Sequence, residues 1–128
     1  MGQNIFSREA IQIIIKREII PILPSSVMEE NKMKKSKHNI SLLYRALLAL
    51  KTEEECEAFL EDLCTPQELD AMAQRLSVAV MLSKGAVYNK IVTETGASTA
   101  TISRVNKTLT YQTAGGYEVV LDRIKSDD

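Results

Sequence analysis

Residues 88–109, YNKIVTETGASTATISRVNKTL, hold two short runs of helical periodicity separated by one glycine. The first run ends at Gly96, where a helix can close in the left-handed conformation that glycine adopts at little cost. The second run begins at Ser98, whose hydroxyl can accept a hydrogen bond from an amide of the first helical turn. It then places apolar side chains at i, i+3 and i+7: Ile102, Val105 and Leu109. This pattern predicts a helix-turn-helix.

The outward face of the second predicted helix is small, hydroxyl-rich and basic. Small side chains let the backbone approach base edges, and hydroxyl and methyl groups contact bases directly. The first amides of the helix and its partial positive charge favour a phosphate. We therefore expect this helix to lie in the major groove of double-stranded DNA. The expected DNA-binding residues are Asn89, Lys90, Ser98, Thr99, Ala100, Thr101, Ser103, Arg104 and Lys107. The alternative is a helical protein-interaction module, also a homodimer, that does not bind DNA.

Charge is distributed unevenly along the chain. The 128 residues carry a net charge of -1, which by itself is unusual for a nucleic-acid-binding protein. However, residues 53–70 contain eight acids and no Lys or Arg, whereas residues 84–107 contain four bases and one acid. The local charge of the second segment therefore matters more for DNA binding than the net charge does.

From Ile40 onward, the apolar pattern is helical and no strand-like alternation persists. This pattern predicts an all-α fold of about six helices. The sequence from Thr65 to Glu68, TPQE, is a capping box with proline at the first helical position, so a helix begins there and closes at Gly85. Apolar residues cover much of the circumference of that helix in its C-terminal half. Because a surface helix of a monomer needs only one apolar stripe, we expect a homodimer.

The first 37 residues differ in character from the rest. Residues 7–23 are rich in isoleucine, and residues 25–37 are polar with four clustered lysines, Lys32, Lys34, Lys35 and Lys37. We therefore divide the chain into an N-terminal extension, residues 1–37, and a helical DNA-binding domain, residues 38–128. The isoleucine-rich run is either an amphipathic helix that packs on the body or on a partner, or a poorly ordered extension. The lysines of the predicted linker either contact phosphate or are simply solvated.

Catalysis and metal binding are not expected. The single histidine, His38, lies in the lysine-rich stretch, and the chain has neither metal-ligand spacing nor a glycine-rich phosphate loop. Cys56 and Cys64 lie on one predicted helix about 12 Å apart by helical rise, which is too far for a disulfide. No run approaches the roughly 20 apolar residues of a membrane span. We expect a cytoplasmic protein that is not an enzyme, with no metal site and no membrane partner.

Three motifs resemble the Trp repressor family, and within it the YerC/YecD-type branch. They are ALLALKTEEECEAFLEDLCTPQELDAMAQRL at 46–76, GASTATISRV at 96–105 and GGYEVVLDRI at 115–124. The resemblance covers about residues 38–125 and does not include the N-terminal extension. It implies an intertwined, all-helical homodimer in which the helix from Ser98 to Leu109 binds an operator. A member of this family is expected to regulate transcription, as a repressor.

The resemblance also implies a small-molecule co-repressor. In the tryptophan-binding member, two arginines grip the ligand between the recognition helix and the dimer core. These arginines match Arg75 and Arg104, and the neighbouring ligand contacts match Thr65 and Thr108.

This sequence departs from the ligand-binding pattern at Val105, where the tryptophan-binding member has a glycine beside the ligand. The valine side chain would occupy space that the indole needs, so tryptophan is disfavoured as the co-repressor. The two matching arginines then have two interpretations. They hold another small acid, since guanidinium groups pair with carboxylates through two hydrogen bonds, or they form a structural ion pair with Glu68 or Asp70.

Overall fold

The computed structural model describes residues 7–111 and 114–125, and within them every regular element is helical. Seven α-helices follow one another, and a π-helical turn (Ile15–Ile19) and a 3₁₀ turn (Ile20–Ile22) lie between the first two. The α-helices are α1 (Arg8–Ile14), α2 (Ser25–Ala49), α3 (Glu53–Leu63), α4 (Pro66–Ser83), α5 (Tyr88–Thr95), α6 (Thr99–Tyr111) and α7 (Gly116–Lys125). The all-α prediction is confirmed, and the six predicted helices correspond to α2–α7.

The chain divides into two units, residues 1–52 and residues 53–128. In the first unit, α1 begins at Ser7, whose hydroxyl accepts a hydrogen bond from the amide of Ala10 at 3.1 Å. The isoleucine-rich run is therefore helical, and its packing on the body or on a partner stays a prediction. Its isoleucines lie largely exposed.

The lysine-rich stretch is helical. Residues 25–37 form the first half of α2, a helix of 25 residues that is about 37 Å long at 1.5 Å per residue. The expected boundary between residues 37 and 38 thus falls inside a continuous helix. The physical reason is that lysine, methionine and glutamate all have high helix propensity, and the proline at position 24 precedes the helix rather than interrupting it.

The second unit is built around α4, as its capping box predicts. The Thr65 hydroxyl accepts a hydrogen bond from the Glu68 amide at 3.2 Å, and the Glu68 carboxylate accepts one from the Thr65 amide at 2.9 Å. The chain then leaves α4 through Gly85, with φ of 79°. Both predicted ends of this helix are confirmed.

The buried core of the second unit joins α4, α5, α6 and α7. Its members are Val78, Ala79, Ile91, Ala97, Ile102, Val105 and Leu121. Burying one such side chain as large as isoleucine contributes about 1.5–3 kcal/mol. Because Ile102 and Val105 face this core, the opposite side of α6 faces outward.

Candidate nucleic-acid interface

The turn between α5 and α6 follows the predicted pattern. Gly96 has φ of 68°, and its amide donates a hydrogen bond to the Val92 carbonyl at 2.9 Å. The Ser98 hydroxyl accepts a hydrogen bond from the Thr101 amide at 3.1 Å and lies 3.0 Å from the Thr101 hydroxyl. The glycine therefore closes α5, the serine opens α6, and the helix-turn-helix is confirmed.

Further hydrogen bonds fix the turn against α4. The Thr95 hydroxyl donates to the Ile91 carbonyl at 2.7 Å and accepts from the Ala97 amide at 3.1 Å. The Gln74 side-chain amide donates to the Thr95 carbonyl at 3.1 Å. This last bond joins the middle of α4 to the end of α5. Sequence reasoning missed Gln74, although an amide one turn before the buried Val78 is a signal that could have identified it.

The outward face of α6 is open to solvent where it was predicted to be. Six of the expected DNA-binding residues on or beside α6 are exposed: Ser98, Thr99, Ala100, Ser103, Arg104 and Lys107. Thr101 is half-buried, and its hydroxyl is engaged with Ser98 in the helix cap. This face can therefore approach a partner without rearrangement of the core.

Asn89 and Lys90 lie on the first turn of α5 and are also exposed. Lys90 forms an ion pair with Glu94 at 3.8 Å, in which the two side chains are 62% and 53% exposed. Exposed pairs of this kind contribute little, because water and salt screen them. The ammonium group of Lys90 thus stays accessible to a competing anion.

A small cleft of about 170 Å³ lies between α4 and α6, next to the outward face. Its lining residues are Ala71, Gln74, Arg75, Thr101, Arg104, Val105, Thr108 and Tyr117. Three of the four predicted ligand-binding residues thus come together: Arg75, Arg104 and Thr108. Thr65 does not join them, because it caps α4 about 15 Å away from Arg75 by helical rise. Tyr117, which reaches the cleft from α7, was missed by sequence reasoning.

Neither Arg75 nor Arg104 forms an ion pair within the part of the chain that the structure describes. Within residues 7–111 and 114–125, no carboxylate lies within 4.0 Å of the guanidinium of Arg75 or Arg104. A pair of either arginine with Glu68 or Asp70 is therefore not formed within this part of the chain. The Glu68 carboxylate instead caps α4.

Val105 lines the cleft between the two arginines and tryptophan stays disfavoured as its ligand. The valine is only 3% exposed and belongs to the core, so its side chain cannot move away without opening a void. The two guanidinium groups of the cleft suit a small acid.

A second, larger cavity of about 630 Å³ is an apolar groove at the C-terminal end of α6, and it shares Thr108 and Tyr117 with the small cleft. It is bounded by α4, the end of α6 and α7, and its apolar lining includes Leu76, Leu109, Tyr117, Val120 and Leu121.

Among the described residues, no group of three or more His, Cys, Asp or Glu side chains is arranged to hold a metal ion. Cys56 and Cys64 are both free and half-buried. Of the helices described above, none is long and apolar enough to cross a membrane.

Comparison with known proteins places these features in a family. The family model for the Trp repressor protein matches residues 38–125. The uncharacterized protein YerC of Bacillus subtilis (strain 168) is 54% identical over 86 residues, which cover 67% of this chain and 82% of YerC.

Two solved structures share the fold. A protein from Staphylococcus aureus, described as a candidate Trp repressor, is 43% identical with a TM-score of 0.66, and the match covers 69% of this chain and 87% of that one. A TrpR-like protein from Eubacterium eligens ATCC 27750 has the same identity and TM-score, covering 69% of this chain and 90% of that one. The chain belongs to the Trp repressor family.

Proposed function

We propose that this protein is a sequence-specific, DNA-binding regulator of transcription, acting as a repressor, and that α6 reads the major groove. The observation that carries the proposal is the exposed, hydroxyl-rich and basic face of α6, presented by a helix-turn-helix whose other side is anchored in the core. Family membership supports the same function. The curated relative is bacterial, and bacterial DNA lies in the cytoplasm. A DNA-binding function therefore places this protein in the cytoplasm as well.

The residues of the face have different roles in this proposal. Thr99, Ala100 and Ser103 are small, exposed and near the start of α6, so they contact base edges. Arg104 and Lys107 lie further along the helix and contact phosphates, as Asn89 and Lys90 do from α5. Ser98 and Thr101 bond to each other, so they orient the first amides of α6 toward a phosphate rather than read bases.

A homodimer completes the proposed DNA-binding site. One reading helix alone binds weakly, whereas two held about 34 Å apart contact successive major grooves on one side of the duplex. Two apolar surfaces of the chain require a cover: the groove of 630 Å³ in the second unit and the stripe on α2 formed by Ile40, Leu43 and Leu47, which are 37–45% exposed. We assign both surfaces to contacts with a second copy of the chain.

The cleft between α4 and α6 is proposed to bind a small acid that modulates DNA binding. Arg75 and Arg104 supply two guanidinium groups without carboxylate partners in the described chain, and Thr108 supplies a hydroxyl. Because Arg104 also belongs to the outward face of α6, a ligand held here would change the charge presented to DNA.

Selection of bound duplexes from a random pool at low salt tests the proposed function. A dimer, verified by sedimentation, should enrich a two-part site whose halves lie about one helical turn apart. A purified dimer that enriches no sequence would contradict the proposal. Repeating the selection with small carboxylic acids then tests the cleft, because a bound acid changes the yield of selected duplexes and raises the melting temperature of the protein.

A further inference from the structure

The cleft between α4 and α6 is positively charged and lacks an acidic side chain. Arg75 and Arg104 line it, and none of its other lining residues in the described chain is Asp or Glu. The two acids of α4 do not reach the cleft. Glu68 lies about 10 Å before Arg75 by helical rise and caps the helix with its carboxylate, and Asp70 lies about 140° around the helix from Arg75. The second unit therefore brings two positive charges to one cleft without an acid to offset them.

The charge of the cleft limits the class of its ligand. An amino acid carries an ammonium group beside its carboxylate, and the described lining of the cleft offers no carboxylate to pair with that ammonium. Two guanidinium groups would instead repel it, because a nearby like charge disfavours the charged form of a group. A dianion matches both arginines, since each guanidinium donates two parallel hydrogen bonds to a carboxylate or a phosphate. The cleft therefore suits a small dianionic acid better than an amino acid.

Arg104 belongs both to the cleft and to the outward face of α6. It is exposed beside Ser103, and the proposed function assigns its guanidinium to a phosphate of the duplex. An acid held between Arg75 and Arg104 neutralises this charge and places anionic groups beside the reading helix. Because binding to a duplex depends on neutralising its phosphates, the loss of a cation weakens that binding. A bound acid thus opposes DNA binding, which is the reverse of a co-repressor.

We propose that the cleft takes a small dianionic acid and that its binding releases the protein from DNA, so that the acid is an inducer rather than a co-repressor. The inference rests on the proposed function, since it requires a duplex that the acid displaces. Two kinds of small molecule share the required chemistry, a dicarboxylate and a phosphate. The test therefore includes one of each.

Three four-carbon acids form a matched set of probes that differ in the charge at one end. Succinate has two carboxylates, butyrate has one, and γ-aminobutyrate has one carboxylate and one ammonium group. Inorganic phosphate is the fourth probe. Fluorescence anisotropy measures the affinity of the full-length protein for a selected duplex with each probe, and sodium chloride equalises the ionic strength because salt alone weakens binding. Titration calorimetry without DNA measures the binding of the same probes directly.

Arg75→Gln and Arg123→Gln are the matched pair of variants. Arg75 lines the cleft from α4, whereas Arg123 lies exposed in the last turn of α7 and does not line the cleft. Each change removes one positive charge from the second unit, and glutamine preserves helix propensity. Each variant is compared with itself, as the ratio of its duplex affinity without and with succinate or phosphate. Sedimentation and circular dichroism verify that both variants remain dimeric and helical.

We expect succinate, phosphate or both to weaken duplex binding, and to lower the slope of log affinity against log salt by about 1 for each Arg104 that is neutralised. Butyrate and γ-aminobutyrate should change neither quantity. A response to succinate alone assigns the cleft to dicarboxylates, and a response to phosphate alone assigns it to phosphates. Arg123→Gln should keep the response of the wild type, and Arg75→Gln should lose it.

Tighter duplex binding with either dianion, an equal effect of γ-aminobutyrate, or an unchanged affinity with all four probes would overturn the inference. So would an Arg75→Gln variant that responds as Arg123→Gln does. A wild type that selects no duplex would refute the proposed function and the inducer role together. In that case, calorimetric binding of succinate or phosphate that Arg75→Gln abolishes would still support the charge preference of the cleft.

Discussion

Substitution of Gly96 tests whether the turn that orients α6 depends on backbone conformation alone. Its φ of 68° lies in the left-handed region, and a Cβ added there would meet nothing nearer than the Gln74 side-chain nitrogen at 4.0 Å. A side chain therefore has room, and the cost of Gly96→Ala is conformational. For an L-residue, that cost is about 1–2 kcal/mol. Gly96→Asn should cost less, because asparagine adopts this conformation more readily.

Gly116→Ala is the matched control for this prediction. Gly116 is the first residue of α7, and its φ is not positive. A Cβ added there would meet no atom within 4 Å. Alanine should therefore be neutral or stabilise the protein by about 0.4–1 kcal/mol, since it restricts the unfolded chain. Urea unfolding at one fixed protein concentration measures all three variants, because the stability of a dimer depends on concentration. Equal stability of Gly96→Ala and Gly116→Ala would refute the assigned role of the turn.

Three further predictions concern the helix cap, the core and the cleft. Thr65→Ala removes the hydroxyl that caps α4 and should lower the free energy of unfolding by about 0.5–2 kcal/mol, with Thr65→Ser close to the wild type in the same urea experiment. Ile102→Ala should cost about 2–5 kcal/mol and Ile102→Val about 0.5–1.5 kcal/mol, because the side chain is fully buried; equal losses would contradict its place in the core. Tryptophan should leave the melting temperature unchanged in a thermal-shift assay, whereas a clear increase would show that Val105 does not block the ligand.

Features governed by short-range rules were predictable from the sequence. The Thr65 capping box, the left-handed Gly96 and the Ser98 cap each involve atoms within a few residues of one another. The apolar spacing of Ile102 and Val105 likewise indicated which side of α6 is buried. Because burial of one side determines exposure of the other, the outward face of α6 followed from the same pattern.

Features that depend on packing between distant residues were not predictable in the same way. The hydrogen bond from Gln74 to Thr95 spans 21 positions in sequence, and the contribution of Tyr117 to the cleft depends on where α7 packs. Nor did the pattern reveal that Arg75 and Arg104 lack a carboxylate partner in the described residues. The lysine-rich half of α2 was missed for another reason: without an apolar stripe, helix propensity is the only signal, and a weak one.

The most direct test of the account is the base preference of Ser103→Ala at a selected operator. Ser103 is exposed near the start of α6 and is assigned to base contact, whereas Arg104 beside it is assigned to phosphate contact. We expect Ser103→Ala to change discrimination by about 1–3 kcal/mol at one base pair in each half-site, and Arg104→Gln to weaken binding to every duplex alike. A Ser103→Ala dimer with the base preferences of the wild type at every position would contradict the assignment of α6 to base reading.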